Sequence, residues 1–263
     1  MEVPVLLPKI FNHPFTYINN SKKIKRLNLG DIVIVPFGKK KEVGVVWDKI
    51  ENTQKKIKLK QIEKKITTFS LNKKIIKLIN WFAIYNIVPK GMILKMCLGN
   101  LKKFDIPKKN EIFEENIKAN IYKLNIDQKL ALNSLISSGD KFSVSVLLGV
   151  TGSGKTLVYF ERIRKLIKDN KQALILIPEI FLTTQFKKRF KLFFGYEPAI
   201  WHSKISTKRK TEIWQSVAKN KIKIVLGARS SLFLPFKNLG LIIVDEEHDS
   251  SYKQEENVIY NAR

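Results

Sequence analysis

The chain has 263 residues, enough for about two domains of roughly 150 residues each, and its 44% hydrophobic and 27% charged residues are ordinary for a globular protein with a core. Its formal net charge of +26 attracts polyanions and predicts binding to nucleic acid, although 42 of the 49 basic residues are lysine, a bias that AT-rich coding also produces. The single cysteine, Cys97, excludes a disulfide framework or a cysteine-based metal cluster, and the lack of a secretory signal or of an apolar run of about 18 residues predicts a cytoplasmic protein without membrane contact.

The first predicted domain comprises residues 1–103, of which residues 1–66 are β-rich. Short runs that contain Val and Ile alternate there with turn residues, a pattern typical of strands. The predicted strands are Val3–Leu7, Asp31–Pro36 and Glu42–Trp47. A basic hairpin loop joins the last two strands and is a candidate contact for DNA; its lysines are Lys39, Lys40 and Lys41. The charged segment Lys49–Lys65 has little apolar periodicity, and we interpret it as a surface excursion or a connector.

Residues 67–103 form the helical part of this domain. From Leu71 onward, apolar residues recur at a spacing near 3.6 and predict a helix, and a second helix is predicted at Gly91–Leu98. The stretch that follows, residues 104–123, is polar and charged and contains Pro107. Such a composition predicts an interdomain linker.

The second predicted domain, residues 124–263, has a different pattern of apolar and polar residues. Apolar runs alternate with amphipathic helical segments, of which the longest is Lys155–Lys168. The apolar runs are Ser143–Gly149, Ala173–Pro178, Ala199–His202, Ile222–Leu226 and Leu241–Val244. Nearly continuous apolar strands that alternate with helices predict an α/β fold with a parallel sheet.

A glycine-rich motif stands between the first of these strands and the longest helix. It fits the P-loop pattern at every defined position: Gly149, Val150, Thr151, Gly152, Ser153, Gly154, Lys155 and Thr156. Backbone N–H groups of such a loop surround phosphate oxygens, and the helix N-terminus adds partial positive charge. We predict that Lys155 neutralises the β and γ phosphates of ATP and that the Thr156 hydroxyl binds Mg²⁺. The alternative is a chance glycine-rich turn.

Carboxylates follow the last apolar strand, where open α/β sheets bind ligands. We predict that Asp245 holds Mg²⁺ and that Glu246 orients and deprotonates the attacking water. His248 has two interpretations: it senses the γ-phosphate or couples to DNA, or it satisfies a local hydrogen bond.

Together these motifs resemble superfamily 2 helicases, and within them the PriA family of replication-restart helicases. The segments that carry the resemblance in the second domain are Leu124–Gln128, Pro178–Gln185, Trp201–Ser203, Gly227–Phe233 and Asp245–Gln254. The resemblance implies a RecA-like helicase lobe in which Gln128 reads adenine. It also implies that Thr183, Arg229 and Ser230 contact DNA, and that Tyr252 and Tyr260 couple strand binding to hydrolysis by stacking on bases.

The first domain resembles the part of the same family that captures the 3′ end of a nascent strand. The similar segments are Leu7–Pro8, Phe15–Tyr17, Gly30–Asp31, Val35–Gly38, Val43–Val46 and Leu78–Tyr85. The resemblance implies that Thr16 and Tyr17 contact DNA, whereas core packing is the alternative for Phe15 and Tyr17. We interpret Trp81 as a core residue.

Two departures from the family pattern bear on activity. The stretch 104–123 is too short for the family's winged-helix module, and the second lobe, its arginine fingers and its zinc sites are absent from these 263 residues. We therefore expect a partial ATP-dependent 3′-to-5′ DNA helicase that binds ATP, Mg²⁺ and forked DNA with a 3′ end but hydrolyses ATP poorly. Primosome proteins and single-strand-binding protein are the expected partners. The alternative is a non-enzymatic fork-DNA-binding module with a vestigial nucleotide lobe.

Overall fold

An antiparallel sheet and a parallel sheet, separated by two helices, organise the chain. The computed structural model describes residues 1–20, 24, 26–48, 59–99, 122–137 and 142–263. The predicted linker, residues 104–123, falls outside the described residues except for its last two positions. The segment Lys49–Lys65 is described only from residue 59 onward.

The N-terminal sheet has five antiparallel strands in the order β2-β1-β4-β3-β5. Their bounds are β1 Glu2–Leu6, β2 Phe15–Ile18, β3 Asp31–Phe37, β4 Lys40–Val46 and β5 Lys64–Ser70. The predicted hairpin forms as a tight turn, because Phe37 pairs with Lys40 and Gly38 adopts φ +59°. Strand β5 was not among the strands predicted from the sequence, because its first residues were interpreted as a surface excursion or a connector.

Two helices follow the sheet: α1 Lys73–Tyr85 and α2 Lys90–Leu98. The Asn72 side chain accepts a hydrogen bond from the Ile75 backbone N–H at 2.9 Å and caps the start of α1. Helix α2 lies directly against the segment after β1, since a Cβ at Gly91 would overlap the carbonyl oxygens of Leu7 and Lys9.

The prediction that Trp81 packs in the core is wrong. The buried face of α1 is formed by Ile75, Ile76, Ile79, Phe82 and Ala83. Trp81 lies on the opposite face, 55% exposed, and stacks on Tyr85 with ring centroids 5.1 Å apart. An aromatic residue at helical spacing predicts burial only when its own position falls on the buried stripe.

The second half of the chain is an α/β lobe with four parallel strands in the order β7-β8-β6-β9. Its strands are β6 Gln172–Leu176, β7 Ala199–Trp201, β8 Ile224–Gly227 and β9 Leu239–Val244. Its helices are α3 Ile126–Ser137, α4 Lys155–Lys168, α5 Thr184–Phe194 and α6 Thr207–Ala218. A small hairpin ends it: β10 Lys253–Gln254 and β11 Tyr260–Asn261. The predicted fold class, a RecA-like parallel lobe after a β-rich and helical domain, is confirmed.

The strand predicted at Ser143–Gly149 does not form. Residues 142–150 have no strand pairing, and Val144, Val146 and Leu148 are 80%, 78% and 87% exposed. A strand requires a backbone partner as well as an apolar sequence. Within the described ranges β9 pairs only with β6, so its other edge remains unpaired.

The two halves share one hydrophobic core. Phe82 of α1 packs edge to face on Phe233 and on Tyr260, with centroids 5.2 and 5.4 Å apart. The Trp214 indole donates a hydrogen bond to the Cys97 carbonyl oxygen at 2.7 Å. Helices α1 and α2 therefore serve as the interface on which the α/β lobe rests.

Every helix in the described ranges is too short or too polar to cross a lipid bilayer.

Candidate nucleotide site and nucleic-acid cleft

The P-loop forms the turn that opens α4. Gly152 and Gly154 adopt φ +85° and +82°, left-handed conformations that strain other residues, and Gly154 is the N-cap of α4. The Lys155 ammonium donates hydrogen bonds to the carbonyl oxygens of Gly149, at 2.5 Å, and Val150, at 3.3 Å. These contacts keep the lysine over the loop, where the sequence predicts that it meets phosphate; Thr151 and Ser153 are exposed on the same loop.

Gln128 of α3 reaches this loop. Its Nε2 donates to the Ser153 carbonyl oxygen at 3.0 Å, and its Oε1 accepts from the Asn125 backbone N–H at 3.1 Å. The amide would overlap any Cβ at Gly154. Gln128 is thus placed beside the P-loop, while its reading of adenine remains a prediction.

Asp245 follows β9 and is held from several sides. The Tyr159 hydroxyl donates to Asp245 Oδ2 at 2.7 Å, and the Asp245 backbone N–H donates to the Leu176 carbonyl oxygen at 3.0 Å. The pKa of Tyr159 is raised above its ordinary value, mainly by burial and secondly by the neighbouring Asp245 carboxylate. The phenol therefore keeps its proton and stays a donor to Asp245.

Thr156 joins the same group of contacts. Thr156 lies one turn before Tyr159 on the same face of α4, and its side chain contributes to lowering the pKa of Tyr159. The two predicted Mg²⁺ ligands, Thr156 and Asp245, are therefore both neighbours of Tyr159. A threonine hydroxyl and a carboxylate are oxygen donors that suit Mg²⁺, which is commonly held by one or two protein groups together with substrate phosphates. Among the described residues no cluster of three or more His, Cys, Asp or Glu side chains could hold a metal ion.

Glu246 has an unusual backbone. Its φ is +49°, and the Asp249 backbone N–H donates to its carbonyl oxygen at 3.0 Å, which closes a turn after β9. A non-glycine residue in this region costs on the order of 1–3 kcal/mol, a cost that is found mainly at functional sites. His248 Nε2 lies 3.8 Å from Glu246 Oε2, and both side chains are exposed to solvent.

A cleft of about 460 Å³ lies at the carboxyl ends of β6, β7 and β8. Its lining includes Pro178, Glu179, Ser203, Arg229, Ser230 and Ser251. Two of the predicted DNA contacts, Arg229 and Ser230, are therefore brought together here. The third, Thr183, is exposed and caps α5, since its Oγ1 accepts from the Phe186 backbone N–H at 3.2 Å.

Internal hydrogen bonds organise the walls of this cleft. Glu179 Oε1 accepts from the Ser203 backbone N–H at 3.2 Å and from the Ser203 hydroxyl at 3.0 Å. Arg229 donates to the carbonyl oxygens of Ser251 and Lys253, at 2.9 and 2.6 Å. The guanidinium thus ties the segment after the acidic residues to the cleft, a role that the sequence motif did not indicate.

The structure corrects the expectation that Tyr252 and Tyr260 stack on bases, and it also buries Tyr17, which was expected to contact DNA. Tyr252 is 1% exposed, and its hydroxyl lies 2.9 Å from the Leu176 carbonyl oxygen and 2.5 Å from that of Asp245. Tyr260 is 5% exposed and packs on Phe82, and Tyr17 is 4% exposed. A ring without a free face cannot stack on a base, so in this structure the three rings serve packing. Core packing, the alternative considered for Tyr17, agrees with this placement.

The N-terminal sheet carries a second candidate nucleic-acid surface. Thr16 and the hairpin lysines Lys39, Lys40 and Lys41 are exposed. Phe15 and Phe37 connect these regions, with centroids 5.4 Å apart, and Phe11 completes the cluster at 4.9 Å from Phe15. The sequence interpretation missed Phe11 and Phe37, because only the pairing of β1 with β2 and with β4, and of β4 with β3, brings these positions together.

Comparison with known proteins assigns both halves. Residues 2–99 match the family model described as the 3′ DNA-binding domain, and residues 121–262 match the model described as type III restriction enzyme, res subunit. The replication restart protein PriA of Rickettsia conorii is 40% identical over 263 residues, which cover 98% of this chain and 39% of that protein. The PriA protein of Helicobacter pylori J99 is 36% identical over 250 residues, covering 95% and 38%. That of Bacillus subtilis is 49% identical over 124 residues, covering 47% and 15%.

A parallel α/β lobe that matches the res-subunit model, joined to a 3′ DNA-binding domain, is the domain combination of a protein of the helicase class. Within this class the chain belongs to the PriA family of replication restart proteins and corresponds to an N-terminal portion of them. It spans about two fifths of the length of the first relatives that it matches.

Proposed function

We propose that this chain supplies the nucleotide-binding and DNA-end-binding parts of an ATP-dependent 3′-to-5′ DNA helicase in replication restart and primosome assembly. The observation that carries the proposal is the hydrogen bond from Tyr159 of α4 to Asp245, which brings the acidic motif to the helix that begins with Lys155 and Thr156 of the P-loop. A P-loop without an acidic partner binds phosphate, whereas the pair supplies the oxygen ligands that phosphoryl transfer requires.

Each residue of the nucleotide site has a proposed task. Lys155 contacts the β and γ phosphates, Gln128 contacts the adenine edge, and Thr156 and Asp245 hold Mg²⁺, which would neutralise developing phosphate charge. Glu246 is the proposed base for the attacking water, because its exposed carboxylate directly follows Asp245. Hydrolysis at a useful rate would need a second lobe, since an arginine finger contributes roughly 10³–10⁵ in rate in related phosphoryl transfers.

Two surfaces are proposed for DNA. The cleft that contains Arg229 and Ser230, with Thr183 at the start of α5, would bind the strand backbone. Thr16 and the hairpin lysines would contact the 3′ end of a fork. The net charge of +26 favours phosphate binding at both surfaces. Primosome proteins and single-strand-binding protein are the proposed partners, and the cytoplasm is the proposed location because replication forks are the substrate.

The test is binding of the chain to labelled forked DNA, measured by fluorescence anisotropy with a free or a phosphorylated 3′ end. We expect tighter binding to the free 3′ hydroxyl and a steep loss of affinity with salt, as counterion release requires. The Thr16→Val variant should lose the preference for the free end, and the Thr207→Val variant, on the distant helix α6, should retain it. Equal affinity of the unsubstituted chain for both ends would refute 3′-end recognition.

A second candidate function is a non-enzymatic fork-DNA-binding module with a vestigial nucleotide lobe. The unpaired, exposed segment 142–150 directly before the P-loop favours it, because a nucleotide loop is ordinarily anchored by a strand. Binding of fluorescent ATP separates the two: the module would bind forked DNA without any Mg²⁺-dependent affinity for nucleotide.

A further inference from the structure

Tyr159 occupies a central position beside the nucleotide site. It lies in the second turn of α4, three residues after Thr156, so both side chains share one face of the helix. The ring is 6% exposed and packs edge to face on Phe160, with centroids 5.2 Å apart. Its hydroxyl donates a hydrogen bond to Asp245 Oδ2 at 2.7 Å.

The direction of each hydrogen bond follows from the number of protons. The Asp245 carboxylate accepts only, so the Tyr159 proton points at Asp245 Oδ2. Asp245 Oδ1 accepts separately from the Glu246 backbone N–H at 3.1 Å.

This arrangement restrains the orientation of Asp245, one of the two predicted metal ligands. Thr156, the other, lies one turn before Tyr159 on the same face of α4. With Oδ2 held by Tyr159, the Asp245 carboxylate cannot rotate freely. Hard divalent cations require oxygen lone pairs in a narrow geometry, and groups that hold the ligands from behind typically contribute 10–100-fold in metal affinity.

We propose that Tyr159 is a positioning residue for the divalent cation of the nucleotide site, acting through Asp245. The inference rests on the proposed nucleotide site and goes beyond it, because the P-loop and acidic motifs do not include this position. Its role is confined to the Mg²⁺-dependent part of nucleotide binding.

The Tyr159→Phe variant tests this, because phenylalanine keeps the ring packing and removes only the hydroxyl. Binding of a fluorescent ADP analogue is measured in EDTA and against increasing Mg²⁺. The variant should bind the nucleotide without metal within twofold of the unsubstituted chain but need about 10-fold or more Mg²⁺ for half-saturation. The matched control is Tyr85→Phe, which removes an exposed hydroxyl on α1 and should leave both values unchanged.

The possible outcomes separate this inference from the proposed function. If the unsubstituted chain shows no Mg²⁺-dependent nucleotide binding, the proposed nucleotide site fails, and the role of Tyr159 fails with it. If that chain binds and Tyr159→Phe needs the same Mg²⁺ within twofold, only the positioning role is overturned. An equal loss of affinity with and without metal also overturns it, since that result indicates general damage to the lobe.

A second measurement needs no substitution and so does not depend on the folding of a variant. In a chain labelled with ¹³C at the tyrosine ring carbon that bears oxygen, the Tyr159 resonance should shift when ADP and Mg²⁺ are added together. It should stay in place with ADP and EDTA. A resonance that does not respond to Mg²⁺ would contradict the proposal.

Discussion

Phe82 of α1 and Tyr260 of β11 meet edge to face, with ring centroids 5.4 Å apart and an angle of 70° between the rings. Phe82 belongs to the half that matches the 3′ DNA-binding domain, and Tyr260 to the half that matches the helicase-type model. Phe233 contacts both rings and stands at the end of the short 3₁₀ helix that begins with Arg229. The N-terminal half therefore supports the elements that form the cleft.

Removal of this contact should destabilise the whole chain. Phe82→Ala should lower the free energy of unfolding by about 3–5 kcal/mol, as expected for a buried phenylalanine that leaves a cavity. The measurement is a urea titration that follows tryptophan fluorescence. Ile84→Ala on the same helix, 74% exposed, is the control and should change stability by about 0.5 kcal/mol or less. A loss below about 1 kcal/mol for Phe82→Ala would mean that the two halves do not depend on this interface.

Lys155→Ala should abolish binding of ATP with Mg²⁺ and leave DNA binding nearly intact. Lys155 contacts the P-loop carbonyl oxygens, while the predicted DNA contacts line a separate cleft. Fluorescent nucleotide binding and DNA anisotropy measure the two activities on the same sample. Equal loss of both would show that the variant has unfolded or that the nucleotide site is assigned to the wrong residues.

Glu246→Gln, in a chain joined to a second helicase lobe, should keep binding ATP and Mg²⁺, because Thr156 and Asp245 remain. Hydrolysis should fall by about 10²–10⁴-fold, since the amide cannot accept the proton of the attacking water. The rate of phosphate release with and without DNA measures this. Hydrolysis within a few-fold of the unsubstituted protein would exclude Glu246 as the base, and Glu247 would be the next candidate.

Asp31 should make the stability of the chain depend on pH in acid. Burial alone would raise the pKa of Asp31, but hydrogen bonds from the Asn28 backbone, Lys65 and Ser70 lower it below its ordinary value. Because the pKa is lower in the folded state, this stabilisation is complete above the unfolded pKa of about 3.9 and is lost as pH falls through the folded pKa.

Urea titrations between pH 7 and pH 2 measure this effect. Asp31→Asn should lose less free energy of unfolding than the unsubstituted chain as the pH falls. Glu197→Gln, at a surface residue, should leave the dependence of stability on pH unchanged. Parallel profiles for Asp31→Asn and the unsubstituted chain would exclude a contribution from Asp31.

Local signals in the sequence were sufficient to predict the turn and the element ends that form the candidate nucleotide site. The glycines, Lys155 and Thr156 stand at a loop–helix junction and Asp245 stands after an apolar strand, so spacing along the chain alone indicates the chemistry. The P-loop turn, the start of α4 at Lys155 and the exit of β9 at Asp245 form where the sequence predicts them.

The remaining features depend on contacts between distant segments, which a sequence pattern does not specify. The apolar alternation at 143–149 indicates a strand but supplies no partner for it. The sequence predicts that Tyr252 is an exposed aromatic residue. In the structure it is buried, because its hydroxyl reaches the carbonyl oxygens of Leu176 and Asp245. Tyr159 carries no motif signal, and its position becomes informative only when α4 and β9 are placed side by side.

The left-handed backbone of Glu246 has a consequence for selection on stability alone. Glycine or asparagine would adopt φ +49° with less strain, so either substitution should be tolerated or should raise the melting temperature of the chain. A library of variants sorted only for heat resistance would therefore tend to discard the glutamate. If Glu246 is the base, as proposed, a library sorted for ATP turnover, in a chain that has a second lobe, would tend to keep it and accept the lower thermal tolerance.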